Sequence, residues 1–236
     1  MKYMWSKNRI AKYLLPIILK DRKQNQWYVE PFVWGANMID KVEGNRIWWE
    51  FNEYIAEMWI ALEKWWLPNK EYSREQYYNI KKNSNDYPKK EIWYVWINCS
   101  YSWVWFWSYA GKTKTKLWTI RDYQDEAYRN ILNQVPNIKW VKFDSSSYKD
   151  LEIPDNSIIY CDPPYEWTSK YKDSFNNSEF WDWCREKKKE WHTIFISEYN
   201  APDDFKCVWE KEVKSSLSAN WKSWGNKNST EKLFTL

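Results

Sequence analysis

The stretch Ile158-Ile159-Tyr160-Cys161-Asp162-Pro163-Pro164-Tyr165 constrains this chain more than any other. Four residues that read as a buried strand are followed at once by an acid, two prolines and an aromatic ring. Proline has no N–H to give to a sheet ladder, so the strand has to stop at Asp162. Its end then presents a carboxylate, a free backbone carbonyl and a ring, and in open α/β sheets that edge is where ligands bind. The competing reading is a surface turn after a core strand, because a four-residue motif takes its meaning from its structural context.

Around this stretch strand-like and helix-like segments alternate. Residues 26–33, 46–52, 140–144 and 192–197 read as strands, and residues 207–213 and 231–236 as closing antiparallel strands. Helical patterns cover residues 52–62, 73–83, 122–134 and 178–190; Ser73 with Gln76 has capping-box spacing, and Ser178 is the expected cap of the last. Residues 92–110 are apolar and aromatic and fit either a strand or a helix. The alternation predicts a three-layer α/β fold with a mostly parallel sheet. The only histidine, His192, heads an expected buried strand and reads as structural.

At 236 residues the chain can form one sizeable domain carrying a smaller inserted one. With 36 basic and 32 acidic residues the charge is only +4, so any nucleic-acid contact has to come from local clusters. The four cysteines are dispersed without a Cys-x-x-Cys pair, which argues against a metal site and for reduced thiols in a cytosol. The apolar run at residues 13–19 is too short to span a membrane.

The chain has 22 Trp and 4 Gly, against roughly 16 Gly expected at the average usage of about 7%. Many tryptophans stand where glycine is the physically expected residue. Trp191 lies between a helix ending in Lys187-Lys188-Lys189-Glu190 and the next strand, where a left-handed residue normally ends a helix. One hypothesis is that a glycine codon, UGA in a recoded genome, is rendered here as tryptophan at Trp5, Trp34, Trp48, Trp49, Trp103, Trp107, Trp167 and Trp191. Trp27 and Trp209, flanked by strand-like residues, read as true tryptophans. The alternative is a tryptophan-rich protein that uses its rings for stacking.

Asp162-Pro163-Pro164-Tyr165 resembles the catalytic tetrad of the Dam-type DNA adenine methyltransferases. Two further stretches share the resemblance: Tyr3-Met4-Trp5-Ser6-Lys7, and Glu30-Pro31-Phe32-Val33-Trp34-Gly35, which is similar to the family's Glu-Pro-Phe-x-Gly-Gly loop with Trp34 as a departure. The resemblance implies a Rossmann-like methyltransferase fold that uses S-adenosylmethionine, with residues 1–62 and 137–236 as the catalytic domain and 63–136 as a target-recognition insertion. It further implies that Asp162 and the Pro163 carbonyl, in a catalytic tetrad completed by Pro164 and Tyr165, grip the amine of an adenine turned out of double-stranded DNA, with Tyr165 stacking on the base. Tyr3, Lys7, Glu30, Pro31, Phe32, Gly35 and Asp162 would line the cofactor. Glu50, about 20 residues beyond the loop, would take the ribose hydroxyls. The family often keeps an acid just before Tyr148, where this chain has Ser147.

Within the insertion, Lys112, Lys114, Lys116 and Arg121 are candidates for phosphate contacts; the competing reading is a solvated hairpin tip. Two other functions fit the same residues. One is a non-catalytic binder of single-stranded nucleic acid, and the other an RNA-directed methyltransferase on the same fold.

Overall fold

The computed structural model describes residues 6–101, 105–115, 117–145, 147–165, 175–214 and 228–236. In chain order they form α1 (Ala11–Ile18), β1 (Tyr28–Glu30), β2 (Arg46–Trp49), α2 (Glu53–Glu63), α3 (Arg74–Lys82) and α4 (Lys89–Asn98). There follow β3 (Lys112–Lys114), β4 (Ile120–Asp122), α5 (Tyr123–Gln134), β5 (Lys142–Asp144) and β6 (Ile158–Cys161). The chain closes with α6 (Asn177–Lys189), β7 (Thr193–Glu198), β8 (Lys206–Lys214) and β9 (Asn228–Thr235). They belong to two compact units, residues 1–11 with 33–151 and residues 12–32 with 152–236.

In the second unit the sheet order is β1-β6-β7-β9-β8. β1 runs parallel to β6, with Val29 opposite Ile159, and β6 parallel to β7, with Cys161 opposite Ile196. β9 then enters antiparallel to β7 and pairs with β8 on its other side. All four residues of β6 are buried, as the apolar run of a strand covered on both faces requires. In the first unit β2 and β5 pair in parallel, with Trp48 opposite Phe143, while β3 and β4 make a separate antiparallel hairpin. Parallel pairs closed by one reversed strand next to β7 make this a mixed α/β fold with mostly parallel pairing.

Local signals explain the helix starts. The Asn52 side chain accepts from the N–H groups of Tyr54 and Ile55, and Ser73 with Gln76 closes the capping box in both directions. Asp122 caps α5 through the N–H groups of Gln124 and Asp125. α6 is capped by Asn176 rather than Ser178, because the Asn176 carboxamide accepts from the Glu179 N–H and starts the helix two residues earlier. The ambiguous segment 92–110 resolves in favour of helix over its first part, where α4 buries Ile92, Tyr94 and Val95. His192 is buried and its Nδ1 accepts from the Ser157 N–H at 3.1 Å, a structural role for a neutral imidazole whose pKa burial lowers.

Of the nine non-glycine residues with positive φ among those described, five are tryptophans: Trp34 (45°), Trp65 (67°), Trp118 (62°), Trp140 (63°) and Trp191 (67°). Two of them end helices in a Schellman motif. After α6, Trp191 N–H donates to the Lys188 carbonyl and His192 N–H to the Lys187 carbonyl; after α2, Trp65 N–H donates to Leu62 and Trp66 N–H to Ala61. Trp118 sits near the end of the β3–β4 loop and donates to the Thr115 carbonyl at 3.0 Å, a left-handed hairpin position that favours glycine. The rings gain little there: Trp65 and Trp118 are 78% exposed, Trp191 82% and Trp140 92%. By contrast Trp48 and Trp49 are buried within β2 and carry no left-handed strain.

A left-handed conformation costs an L-residue with a side chain roughly 1–2 kcal/mol. Replacing Trp65, Trp118, Trp140 and Trp191 by glycine is therefore expected to stabilise the chain by about 1 kcal/mol per site, read as a rise in the urea or thermal midpoint. The messenger RNA is expected to carry UGA at these positions and at Trp34, with UGG at Trp27 and Trp209. UGG throughout, with midpoints that fall, would defeat the recoding hypothesis.

Candidate active site

In the second unit the site grows from the carboxyl ends of β1 and β6. The parallel register sets Tyr28 beside Ile158, so Glu30 ends β1 at the level of Tyr160. Glu30 is buried and accepts from the Tyr28 hydroxyl at 2.7 Å. On the next strand pair the hydroxyls of Tyr160 and Ser197 are 2.8 Å apart. Two tyrosines are thus anchored under the sheet edge, and burial together with the nearby carboxylates raises the pKa of both, so each hydroxyl keeps its proton.

β6 ends at Cys161, as the two prolines dictate. Beyond it Asp162 is half-buried, Pro163 buried, and Pro164 and Tyr165 half-buried. The Tyr165 hydroxyl donates to Glu231 Oε2 at 3.0 Å, and its ring stands edge-on to Tyr199 with centroids 4.7 Å apart at 86°. Pro31 is buried, and Phe32 packs edge-on against Phe175 and Phe180 at 5.7 and 5.8 Å.

In the first unit the expected cofactor loop is tightly wired. Ala36 N–H donates to the Val33 carbonyl at 2.7 Å, closing a turn in which Trp34 and Ala36 both have positive φ. The Trp34 N–H donates to Glu50 Oε2 and the Asn52 N–H to Glu50 Oε1, each at 3.0 Å. Trp59 Nε1 donates to the Trp34 carbonyl at 2.9 Å. Gln134, at the end of α5 and buried, donates through Nε2 to the carbonyls of Gly35 (3.0 Å) and Ala36 (2.9 Å). Two left-handed side-chain-bearing residues within three positions are the kind of stored strain that recurs at ligand sites.

Trp59 and Gln134 were not among the candidates read from the sequence. A visible signal existed for Gln134: it lies one turn from Ile131 on the buried face of α5, where a polar side chain has to find a partner. Trp59 gave none, since its indole N–H looks like any other in an apolar helix.

Lys7 is buried in a short helical turn that follows Ser6. Tyr3, Lys116, Trp5, Trp103 and Trp167 lie outside the described residues. Lys112 pairs with Glu71 at 3.4 Å and Asp122 at 3.8 Å, and Arg121 grips Glu126 through two nitrogens at 2.7 and 2.9 Å. Lys114 lies over the Trp118 ring, 4.0 Å from its centroid. The hairpin they frame exposes Leu117, Trp118 and Ile120. Such exposed ion pairs are worth little and exchange readily for other anions. Among the described residues there is no metal-ligating cluster and no helix long and apolar enough to cross a membrane.

Burial raises the Glu50 carboxyl from its ordinary 4.5 to about 7, against the opposing pull of the two N–H donors. The folded state therefore holds a proton that the unfolded chain releases near 4.5, so stability from this group is complete below that pH and is lost as pH rises towards 7. The loss is on the order of 3 kcal/mol at 1.36 kcal/mol per pH unit. Thermal melts between pH 4.5 and 8 are expected to show a fall in the wild type that Glu50→Gln flattens; parallel curves would contradict the assignment.

No family model and no curated protein sequence matches the chain. Among solved structures it is similar to the tRNA (m1A58) methyltransferase TrmI from Aquifex aeolicus, at 10% identity and a TM-score of 0.40, over 99% of this chain and 76% of that one. It is also similar to SMU.472, a candidate methyltransferase complexed with SAH, at 10% identity and a TM-score of 0.36, over 98% of this chain and 52% of that one. These similarities are remote, and it is the strand pairing that makes the fold Rossmann-like.

Proposed function

We propose that the chain is an S-adenosylmethionine-dependent methyltransferase that modifies the exocyclic amine of adenine in DNA. The observation that carries this reading is Asp162-Pro163-Pro164-Tyr165 emerging at the carboxyl end of the buried β6, beside the buried Glu30 of β1.

The described residues suit such a cofactor. Glu50 is a buried acceptor whose two oxygens are each oriented by one backbone N–H and keep lone pairs for hydroxyl donors. Gln134 and Trp59 fix the carbonyls of the neighbouring loop, so its backbone shape is set before any ligand arrives. Trp34 puts a large side chain in a loop whose pattern favours glycine, and glycine there would suit close approach of a ligand. When bound, the cofactor supplies an electrophilic methyl group on a sulfonium.

The chain's own residues supply position and fixed charge. The amine of adenine is a weak nucleophile because its lone pair is delocalised into the ring. The Asp162 carboxylate and the Pro163 carbonyl are two acceptors for its two hydrogens, and accepting both draws the nitrogen towards the tetrahedral geometry of attack. The Pro163 carbonyl is left for this because the Pro-Pro step ends the sheet ladder. Tyr165 offers a flat face for the base. Exposed Leu117, Trp118 and Ile120 with Lys114 suit contact between the β3–β4 hairpin and nucleic acid, in the insertion at residues 63–136. A stacking-only binder is less well supported, since Trp65 and Trp191 occupy helix C-termini rather than one continuous face.

Transfer of a labelled methyl group from S-adenosylmethionine to duplex DNA, single-stranded DNA and RNA tests the reading, on the chain as given and with glycine at the left-handed tryptophans. Transfer to adenine in DNA is expected, and Asp162→Ala is expected to reduce it by about 10²- to 10³-fold. Transfer to RNA alone would move the assignment to an RNA-directed enzyme. Absence of transfer to every adenine-containing polymer would overturn it.

A further inference from the structure

The seat of the Tyr165 ring is built by residues that the catalytic tetrad does not contain. In the β7–β9 pairing Ser197 faces Leu233 and Glu198 faces Lys232, so the next step outward sets Tyr199 against Glu231. Both reach Tyr165: Glu231 through the hydroxyl at 3.0 Å, and Tyr199 through an edge-on contact at 4.7 Å. A tyrosine ring has two soft torsions, and a contact on the ring plus a bond at its far end constrains both. A hydrogen bond to a carboxylate is roughly twice as strong as one between neutral groups. The reversed direction of β9 matters here. Its beginning lies at the same edge as the carboxyl ends of the parallel strands, so an acid near its start is delivered to the site.

We infer that Glu231 is a positioning residue, which holds the Tyr165 ring in the plane needed to receive a planar base and acts on the reaction only through that ring. The inference rests on the methyltransferase reading above. Burial and the surrounding carboxylates of Asp162, Glu231 and Glu198 raise the Tyr165 pKa, so the hydroxyl remains a donor to Glu231 across the working pH range. Glu231 donates no proton and touches no reacting atom. Its carboxylate accepts the Tyr165 hydrogen bond and keeps the ring from turning.

The test is steady-state methyl transfer by wild type, Glu231→Leu, Glu231→Gln, Tyr165→Phe and the double variant Tyr165→Phe/Glu231→Leu. Glu231→Leu and Tyr165→Phe are each expected to lower kcat/KM for the nucleic acid about tenfold and to leave KM for S-adenosylmethionine unchanged. The double variant is expected to be no worse than either single one, because both delete the same bond. Glu231→Gln keeps an acceptor and is expected to recover most of the loss. Additive losses in the double variant, an equal rise in the cofactor KM, or indifference to Glu231→Leu would overturn the inference while wild-type transfer upholds the functional reading. Tyr165→Phe removes the bond without touching β9, so a misfolded Glu231→Leu chain does not spare the inference: wild-type rates in Tyr165→Phe overturn it. Absence of transfer by the wild type overturns the functional reading and this inference together.

Discussion

The Pro-Pro step after Asp162 is the constraint on which the rest depends. A parallel sheet gathers the carboxyl ends of its strands at one edge, and what happens there is decided by how each strand stops. β6 stops because two consecutive residues cannot donate to the ladder, and this sets Asp162 and Tyr165 free of the sheet at the point where the buried Ile158–Cys161 segment has fixed their origin. β1 stops next to it on Glu30, whose carboxylate is tied to Tyr28. This edge therefore gathers acceptors and rings held in place by buried anchors.

The loop after β1 works differently. Its own residues adopt costly conformations, with Trp34 and Ala36 both left-handed, and its shape persists because side chains from elsewhere in the same unit hold its main chain. Glu50 takes the Trp34 N–H, Trp59 the Trp34 carbonyl, and Gln134 the next two carbonyls. Such wiring satisfies polar groups that burial would leave unpaired, and it fixes the shape of the backbone. Burying the Glu50 carboxyl has a cost, visible in a pKa near 7.

The tryptophans are legible in the same terms. Trp65, Trp118, Trp140 and Trp191 project large apolar rings into solvent from backbone positions where L side chains are strained. Trp96, half-buried on α4, has a buried indole N–H with no hydrogen-bond acceptor among the described residues. An apolar ring exposed at a strained position contradicts both local propensity and burial, and conflicts of this kind are not what a sequence selected for one fold accumulates. Glycine removes the conflict at each left-handed site, Trp34 and Trp191 among those the recoding hypothesis named, whereas Trp48, Trp49 and Trp107 show no such strain.

What the sequence determined by itself was local. The end of β6, the capping box of α3, the alternation that makes an α/β fold and the left-handed residue after α6 each follow from a few neighbouring residues whose physical chemistry admits few alternatives. The helical start of segment 92–110 was not legible, because an apolar aromatic run has no period that separates a buried helix from a strand. Nor were the contacts of Gln134 with Gly35 and Ala36, of Trp59 with Trp34, or of Glu231 with Tyr165, which join residues 25 to 99 positions apart. Only tertiary structure could decide them, since a hydrogen bond between distant residues depends on where the strands and helices carrying them are packed and leaves no pattern in the order of the residues.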